Sequence, residues 1–187
     1  MFRRFFGKGR SAGGPKSSFA IELTTIGGPP ELEFLLIEPT PENIERALDG
    51  WQWVGLEGLT AIAVSAFGDT FCRAADDSIL LLDMIEGRLK RVADDLAHFT
   101  ALLQETDPRD ELLLAGLVIG ARRRGLILGP TECYDFVLAP IVGGEMSVEK
   151  VQKLDYVVAV HIAGQLHEQV KGLPPGTKIS SFKIADE

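Results

Sequence analysis

The hydrophobic pattern changes period several times along the chain, and each change predicts an element. Phe19 to Thr24 and Glu31 to Ile37 alternate apolar and polar positions as strands do, separated by Gly27-Gly28-Pro29-Pro30. Thr40-Pro41-Glu42 predicts a helix start: a hydroxyl N-cap, proline in the first turn and an acid at the positive end of the dipole. Ile44, Ala47 and Leu48 then share one helical face, and Gly50 ends it. Trp51 and Trp53 follow as candidate anchors of a core edge.

From Leu59 to Val92 the pattern predicts an antiparallel meander. Ala61 to Phe67 leads through Gly68-Asp69 into Thr70 to Arg73, with glycine first in a tight II′ hairpin. Ala75-Asp76-Asp77 turns into Ser78 to Met84, an almost wholly apolar strand that reads as central, and Glu86-Gly87 turns into Arg88 to Val92. Asp94 to Gln104 returns to a helical period, with Leu96, Phe99 and Leu103 on one face and His98 beside it in a structural setting. Asp107-Pro108-Arg109-Asp110 predicts a second helix start, and that helix is expected to run to Arg124. Arg122-Arg123-Arg124 then lies at its negative end, with Gly125 as a left-handed cap, so the triplet needs no phosphate to explain it. Gly116 and Gly120 are expected to permit close packing of that helix.

Leu126 to Leu128 and Cys133 to Leu138 read as a return to the sheet, with turns at Gly129-Pro130 and Gly143-Gly144. Asp155 to Lys171 predicts the last helix, carrying Ala159, Ile162, Ala163, Leu166 and Val170 on one face. The β-branched run from Tyr156 to Val160 leaves a strand open for its first turn. Gly172 and Leu173-Pro174-Pro175-Gly176 stop it. The fold class expected is α+β: one domain, an antiparallel meander sheet with helices packed on it. Residues 1–18 are expected to form a basic flexible arm, 19–39 a short extension, and 40–187 the domain proper.

Charge sharpens this division. The net charge is −8, yet five of the 19 basic side chains (Arg3, Arg4, Lys8, Arg10, Lys16) lie in the arm, leaving 14 against 27 acidic groups, or −13, for the remainder. A body that acidic is not expected to bind nucleic acid directly and suits a basic protein partner. Asp76, Asp77, Asp94 and Asp95 are candidate positions for such a surface, on charge alone. Arg3-Arg4-Phe5-Phe6-Gly7-Lys8 superficially resembles a twin-arginine signal, but polar, glycine-rich sequence follows where an apolar region is needed, so export is not expected. The arm could touch an anionic surface in an adaptor role. No apolar run reaches the ~18 residues of a membrane span.

The chemistry that the sequence offers is thin. Cys72 and Cys133 belong to no C-x-x-C pair, which favours two buried thiols in a reducing cytoplasm. His161 and His167 stand six apart, ~120° off a common helical face, whereas zinc helices place histidines four apart. His161, Gln165 and Glu168 could share a face, but one imidazole and one carboxylate fall short of a three-ligand site. No nucleophile elbow, P-loop or dinucleotide fingerprint is present. No catalytic residue, metal or cofactor is therefore expected. The alternative is a small-ligand protein or enzyme with a pocket formed by Cys133, Tyr134, His161, Gln165, His167 and Glu168.

Several blocks carry a family resemblance: W-Q-W-V-G, S-A-F-G-D-T-F, S-I-L-L-L-D, L-G-P-T-E-C-Y-D-F, G-G-E-M-S-V-E-K-V and G-Q-L-H-E-Q-V-K-G-L-P-P-G-T-K-I. From Pro41 to Ile179 the chain resembles the C-terminal domain of type VI secretion immunity proteins, cytoplasmic antitoxins paired with DNase effectors. The resemblance implies an α+β domain without catalytic residues that binds and occludes a protein toxin. Many such proteins carry a helical domain ahead of this one, where this sequence has Phe19 to Pro39. The oligomeric state is not legible.

Overall fold

The computed structural model describes residues 20–22, 33–174, 176–177 and 181–184. The basic arm and the Gly27-to-Pro30 connector lie outside them. In chain order the elements are β1 (Ala20–Ile21), β2 (Leu36–Ile37), α1 (Pro41–Asp49), β3 (Thr60–Ser65), β4 (Thr70–Arg73), β5 (Ile79–Asp83), β6 (Arg88–Ala93), α2 (Leu96–Gln104), α3 (Thr106–Leu113), α4 (Ala115–Arg123), β7 (Glu132–Phe136), β8 (Val151–Asp155) and α5 (Tyr156–Val170).

The α+β expectation holds. β3 to β6 form the antiparallel meander, and β1 and β2 share the free edge of β3, β1 parallel at its start and β2 antiparallel at its end. Alternate strand residues feed two cores. Ile62, Phe71, Ile79 and Leu81 pack with α2, α3, α4 and Tyr134 and Phe136 of β7. Ala61, Val64, Cys72 and Leu82 pack with α1, Trp51 and α5. Both faces are covered, which is why β5 reads as almost continuously apolar.

The turns refine the prediction. Ser65 accepts from Gly68 N–H, Ser65 N–H donates to the Asp69 carbonyl, and Gly68 sits at φ 86°. This is a three-residue loop with a left-handed third position, not a two-residue II′ turn, so Ala66 and Phe67 leave the strand. The Ala75-Asp76-Asp77 turn repeats the design, with Asp77 at φ 66°. α1 starts as expected: the Thr40 hydroxyl accepts from Asn43 N–H at 3.3 Å.

Three expectations are corrected. The single helix from Asp107 to Arg124 is two, because Leu114 takes a left-handed conformation at φ 49°. That conformation costs a non-glycine residue about 1–2 kcal/mol. It is offset by burying Leu112, Leu113, Ala115 and Val118 in one core, and by the Asp110 carboxylate accepting from Gly116 N–H in the second helix. Leu126 to Leu128 forms no strand; the Tyr134 hydroxyl satisfies the Leu126 carbonyl and Lys153 Nζ the Ile127 carbonyl at 2.9 Å. β7 does not rejoin the main sheet but pairs with β8, an element hidden in polar V-Q-K-L-D, and touches the meander through Tyr134 N–H on the Ala66 carbonyl at 2.7 Å.

α5 begins at once after β8, with the Asp155 carboxylate accepting from Val158 N–H at 3.2 Å. Its first turn is helical despite the β-branched run. Its deepest face is Tyr156, Val160, Gly164 and His167, rotated from the apolar face predicted. Trp51 selects this face. Its indole Nε1 donates to the Val160 carbonyl at 2.8 Å, and Trp53 Nε1 to that of Gly164 at 3.2 Å. Gly164 and Gly50 let the two backbones meet: a Cβ on Gly164 would lie 2.3 Å from the Gly50 carbonyl oxygen.

That contact predicts an outcome opposite to helix propensity. Gly164→Ala adds a better helix former, worth about 1 kcal/mol alone. Overpacking against backbone costs about 1–3 kcal/mol or more and dominates. A denaturant titration should show a lower midpoint for the variant.

Candidate functional site

Among the described residues, one groove stands out. It runs between α5 and β7 and is closed by the β5–β6 turn. Met84 and Ile85 come from that turn, Phe67 from the β3–β4 loop, and Tyr134, Asp135 and Phe136 from β7. Ala159, Ala163 and Leu166 form the α5 wall, and the loop after β7 adds Ala139, Pro140 and Ile141. These α5 residues belong to the face that periodicity assigned to the core. In the fold they flank it.

Buried polar groups support the groove from behind. The Asp69 carboxylate accepts from the Ser65 hydroxyl at 2.7 Å and from Met84 N–H at 2.9 Å, so it holds the β5–β6 turn to the β3–β4 loop. Burial raises its pKa to about 6, against the lowering effect of those hydrogen bonds. Asp83 caps the same turn through Ile85 and Glu86 N–H, each at 2.8 Å, and pairs with Lys90 at 2.9 Å. His167 is buried, lies 5.5 Å from the Trp51 ring and donates from Nε2 to the Met84 carbonyl at 2.9 Å. Its ring presses on Gly87, which stands at φ 65° where a Cβ would meet the imidazole. Burial lowers its pKa, so it is neutral near pH 7.

The residues singled out in the sequence are dispersed. Tyr134 and His167 line the groove, while Cys133, His161, Gln165 and Glu168 do not. Cys133 is fully buried in the core with Tyr156 and Val160, and burial pushes its thiol far up; that of Cys72 is pushed up to about 12. Neither is a poised thiolate. His161 Nδ1 donates to the Arg46 carbonyl at 3.2 Å, and its Nε2 accepts from Gln165 at 2.7 Å, so both nitrogens are engaged in joining α5 to α1. Glu168 is exposed beside Lys171 at 3.5 Å. Among the described residues, no group of three or more His, Cys, Asp or Glu side chains could hold a metal ion.

The four acidic candidates are neighbours in space. The Ile79–Ala93 pairing brings the Asp76-Asp77 turn beside Asp94 and Asp95 at one end of the sheet. Most of their charge is used locally. Asp76 accepts from the Ser78 hydroxyl at 2.6 Å, which holds its pKa down, and Asp95 caps α2 through His98 N–H at 2.7 Å. Arg91 lies between Asp94 at 2.9 Å and Asp76 at 3.9 Å. In the arginine triplet, Arg122 stacks over the Phe34 ring at 4.6 Å, and Arg124 donates to the carbonyl of Val148, whose side chain packs on Gly120.

What sequence reasoning missed is the groove wall. Asp135 stands in the L-G-P-T-E-C-Y-D-F block but in no catalytic or ligand-binding motif, and Val137 and Leu138 of the V-L-A-P-I-V run fit the end of the strand expected from Cys133 to Leu138. Its signal was an apolar stretch closed by Pro140 and Gly143-Gly144, too irregular for strand. Val137 and Leu138 are 64% and 54% exposed.

A family model described as "T6SS immunity protein Tdi1, C-terminal" matches residues 93–167, from the end of β6 to His167 of α5. The family read from the sequence blocks is thereby supported, over a shorter span than Pro41 to Ile179. The match contains β7, its loop and most of α5, and leaves W-Q-W-V-G and S-A-F-G-D-T-F outside. Among solved structures, Atu4351 from Agrobacterium tumefaciens is similar at 20% identity and a TM-score of 0.40, over 66% of this chain and 62% of that one. No curated protein matches the chain.

Two outcomes follow for the buried groups. Because the folded pKa of Asp69 is raised, its contribution to stability is fully present below pH ~4 and is lost as pH rises through about 6. The loss is on the order of 3 kcal/mol at most. Asp69→Asn removes this titration, so melting temperatures measured from pH 4 to 7 should fall less steeply for the variant. Cys72 and Cys133 should resist a thiol reagent in the native protein and react on unfolding; rapid native labelling of Cys133 would reopen the nucleophile reading.

Proposed function

We propose that this chain is a type VI secretion immunity protein that neutralises a DNase-type effector by binding it, without chemistry of its own. The observation that carries this reading is the family match over residues 93–167, the segment that supplies the β7, loop and α5 walls of the groove. Other features agree with it. The thiols and His161 are engaged in packing and hydrogen bonds rather than aimed at a substrate. The groove encloses about 40 Å³, where small-molecule sites usually span ~300–1,000 Å³. Among the described residues, no helix is long and apolar enough to cross a membrane.

Charge gives the physical basis for inhibition. A DNase must offer cationic surface to phosphate, and an acidic protein competes for that surface while repelling DNA itself. The complex would bury on the order of 1,600 Å² in total and form in the cytoplasm, where the chromosome is. The product of the neighbouring open reading frame should be toxic when expressed alone, and coexpression with this chain should restore growth and yield a copurifying complex. Failure on both counts rejects the reading.

A further inference from the structure

Among the described residues no element covers the groove, and its surroundings indicate what would fill it. Among the described residues, the exposed large apolar side chains that precede Leu173 lie between Ile119 and Val158, inside the family-matched segment. Val137, Leu138, Ile141 and Met146 share the one loop that forms the groove's rim. That loop is held in shape rather than free. Pro140–Val142 forms a 3-10 turn, Gly143 stands at φ 94°, and Gly144 N–H donates to the Ala139 carbonyl at 3.1 Å. A Cβ on Gly144 would clash with the Leu138 backbone. A preformed apolar rim loses little conformational freedom on binding.

One charged group faces this apolar surface without a counter-ion. Asp135 lines the groove and is half-buried, and among the described residues its carboxylate accepts from the backbone N–H of Phe136 at 2.8 Å and from no other donor. None of the ion pairs among the described residues includes it. Desolvation by burial raises its pKa, against the lowering effect of the Phe136 hydrogen bond. The other two ionisable side chains of the lining are engaged elsewhere: His167 Nε2 donates to the Met84 carbonyl and the Tyr134 hydroxyl to the Leu126 carbonyl.

We propose that this groove and the 137–146 rim are the docking site for the effector, and that the groove receives a lysine or arginine side chain flanked by apolar residues. The apolar stem would lie along Phe136, Ala163 and Leu166, with the cation on Asp135. The inference rests on the immunity reading and adds the place and chemistry of contact. The groove's small volume suits one side chain, and the acidic body favours a basic partner over a second copy of this chain.

The test measures affinity of the full chain for the purified product of the neighbouring open reading frame, in wild type and four variants. Asp135→Asn keeps the acceptor for Phe136 N–H and should weaken binding about tenfold. Paired Val137→Ser and Leu138→Ser, both on exposed positions, should weaken it about a hundredfold. Asp135→Leu should also weaken it; tighter binding would overturn the cation assignment. Glu57→Gln, in an exposed turn outside the groove, should leave affinity within about twofold. Thermal melts verify that each variant is folded. If wild type binds and protects but the groove variants bind equally well, the docking site is overturned and the immunity reading stands. If wild type neither binds nor protects, both fall. Sedimentation showing a wild-type dimer that the loop substitutions dissociate would assign the groove to a second copy, and also overturns the proposal.

Discussion

The close approach of α5 to the corner that follows α1 is the constraint on which the rest of the molecule depends. Two glycines, Gly50 and Gly164, allow the backbones to touch, and the indoles of Trp51 and Trp53 donate to carbonyls one helical turn apart on α5. This fixes both the height and the rotation of the helix. With Val160 and Gly164 turned inward, His167 reaches the β5–β6 turn, and Ala159, Ala163 and Leu166 are left as a wall. A helix rotated by one residue would have buried that wall and erased the groove.

The sheet enters the same arrangement through buried polar links rather than through apolar contact alone. Asp69 joins two turns that are distant in sequence, and burying its carboxyl is tolerable because a hydroxyl and an amide point at it. Asp83 then caps the turn that His167 presses against. The groove is thus built from the β3–β4 loop, the β5–β6 turn, β7 with the loop after it, and α5, each held in place by hydrogen bonds. That rigidity is the property a binding surface needs when no chemistry is done on it.

The fold class and much of the fold were legible because they rest on local rules. The Thr40 cap, the Ala75-Asp76-Asp77 turn, the apolar β5 and the Gly125 cap follow from residue type and spacing. The break at Leu114 was not legible, because an α-helical period continues through it and only the shared core makes a left-handed leucine worthwhile. β8 was hidden because its partner, β7, covers it with a short ribbon of mixed polarity. The candidate site fared similarly. Tyr134 and His167 do line the groove, while Cys133 is sealed in the core beneath Tyr156 and Val160 and His161 is turned toward α1, since helix residues six apart diverge.

By itself, then, the sequence determined the alternation of helix and strand, the acidic character of the body, the lack of a catalytic signature and a family resemblance carried by short colinear blocks. These are properties of neighbouring residues and of composition. Only the tertiary structure decided which face of α5 would be buried, where β7 would pair, and that Asp135 would stand half-buried in a groove of mostly apolar side chains. Those outcomes depend on contacts between residues about a hundred positions apart, such as Trp51 with Val160. No local period encodes which of two apolar helix faces another element will cover.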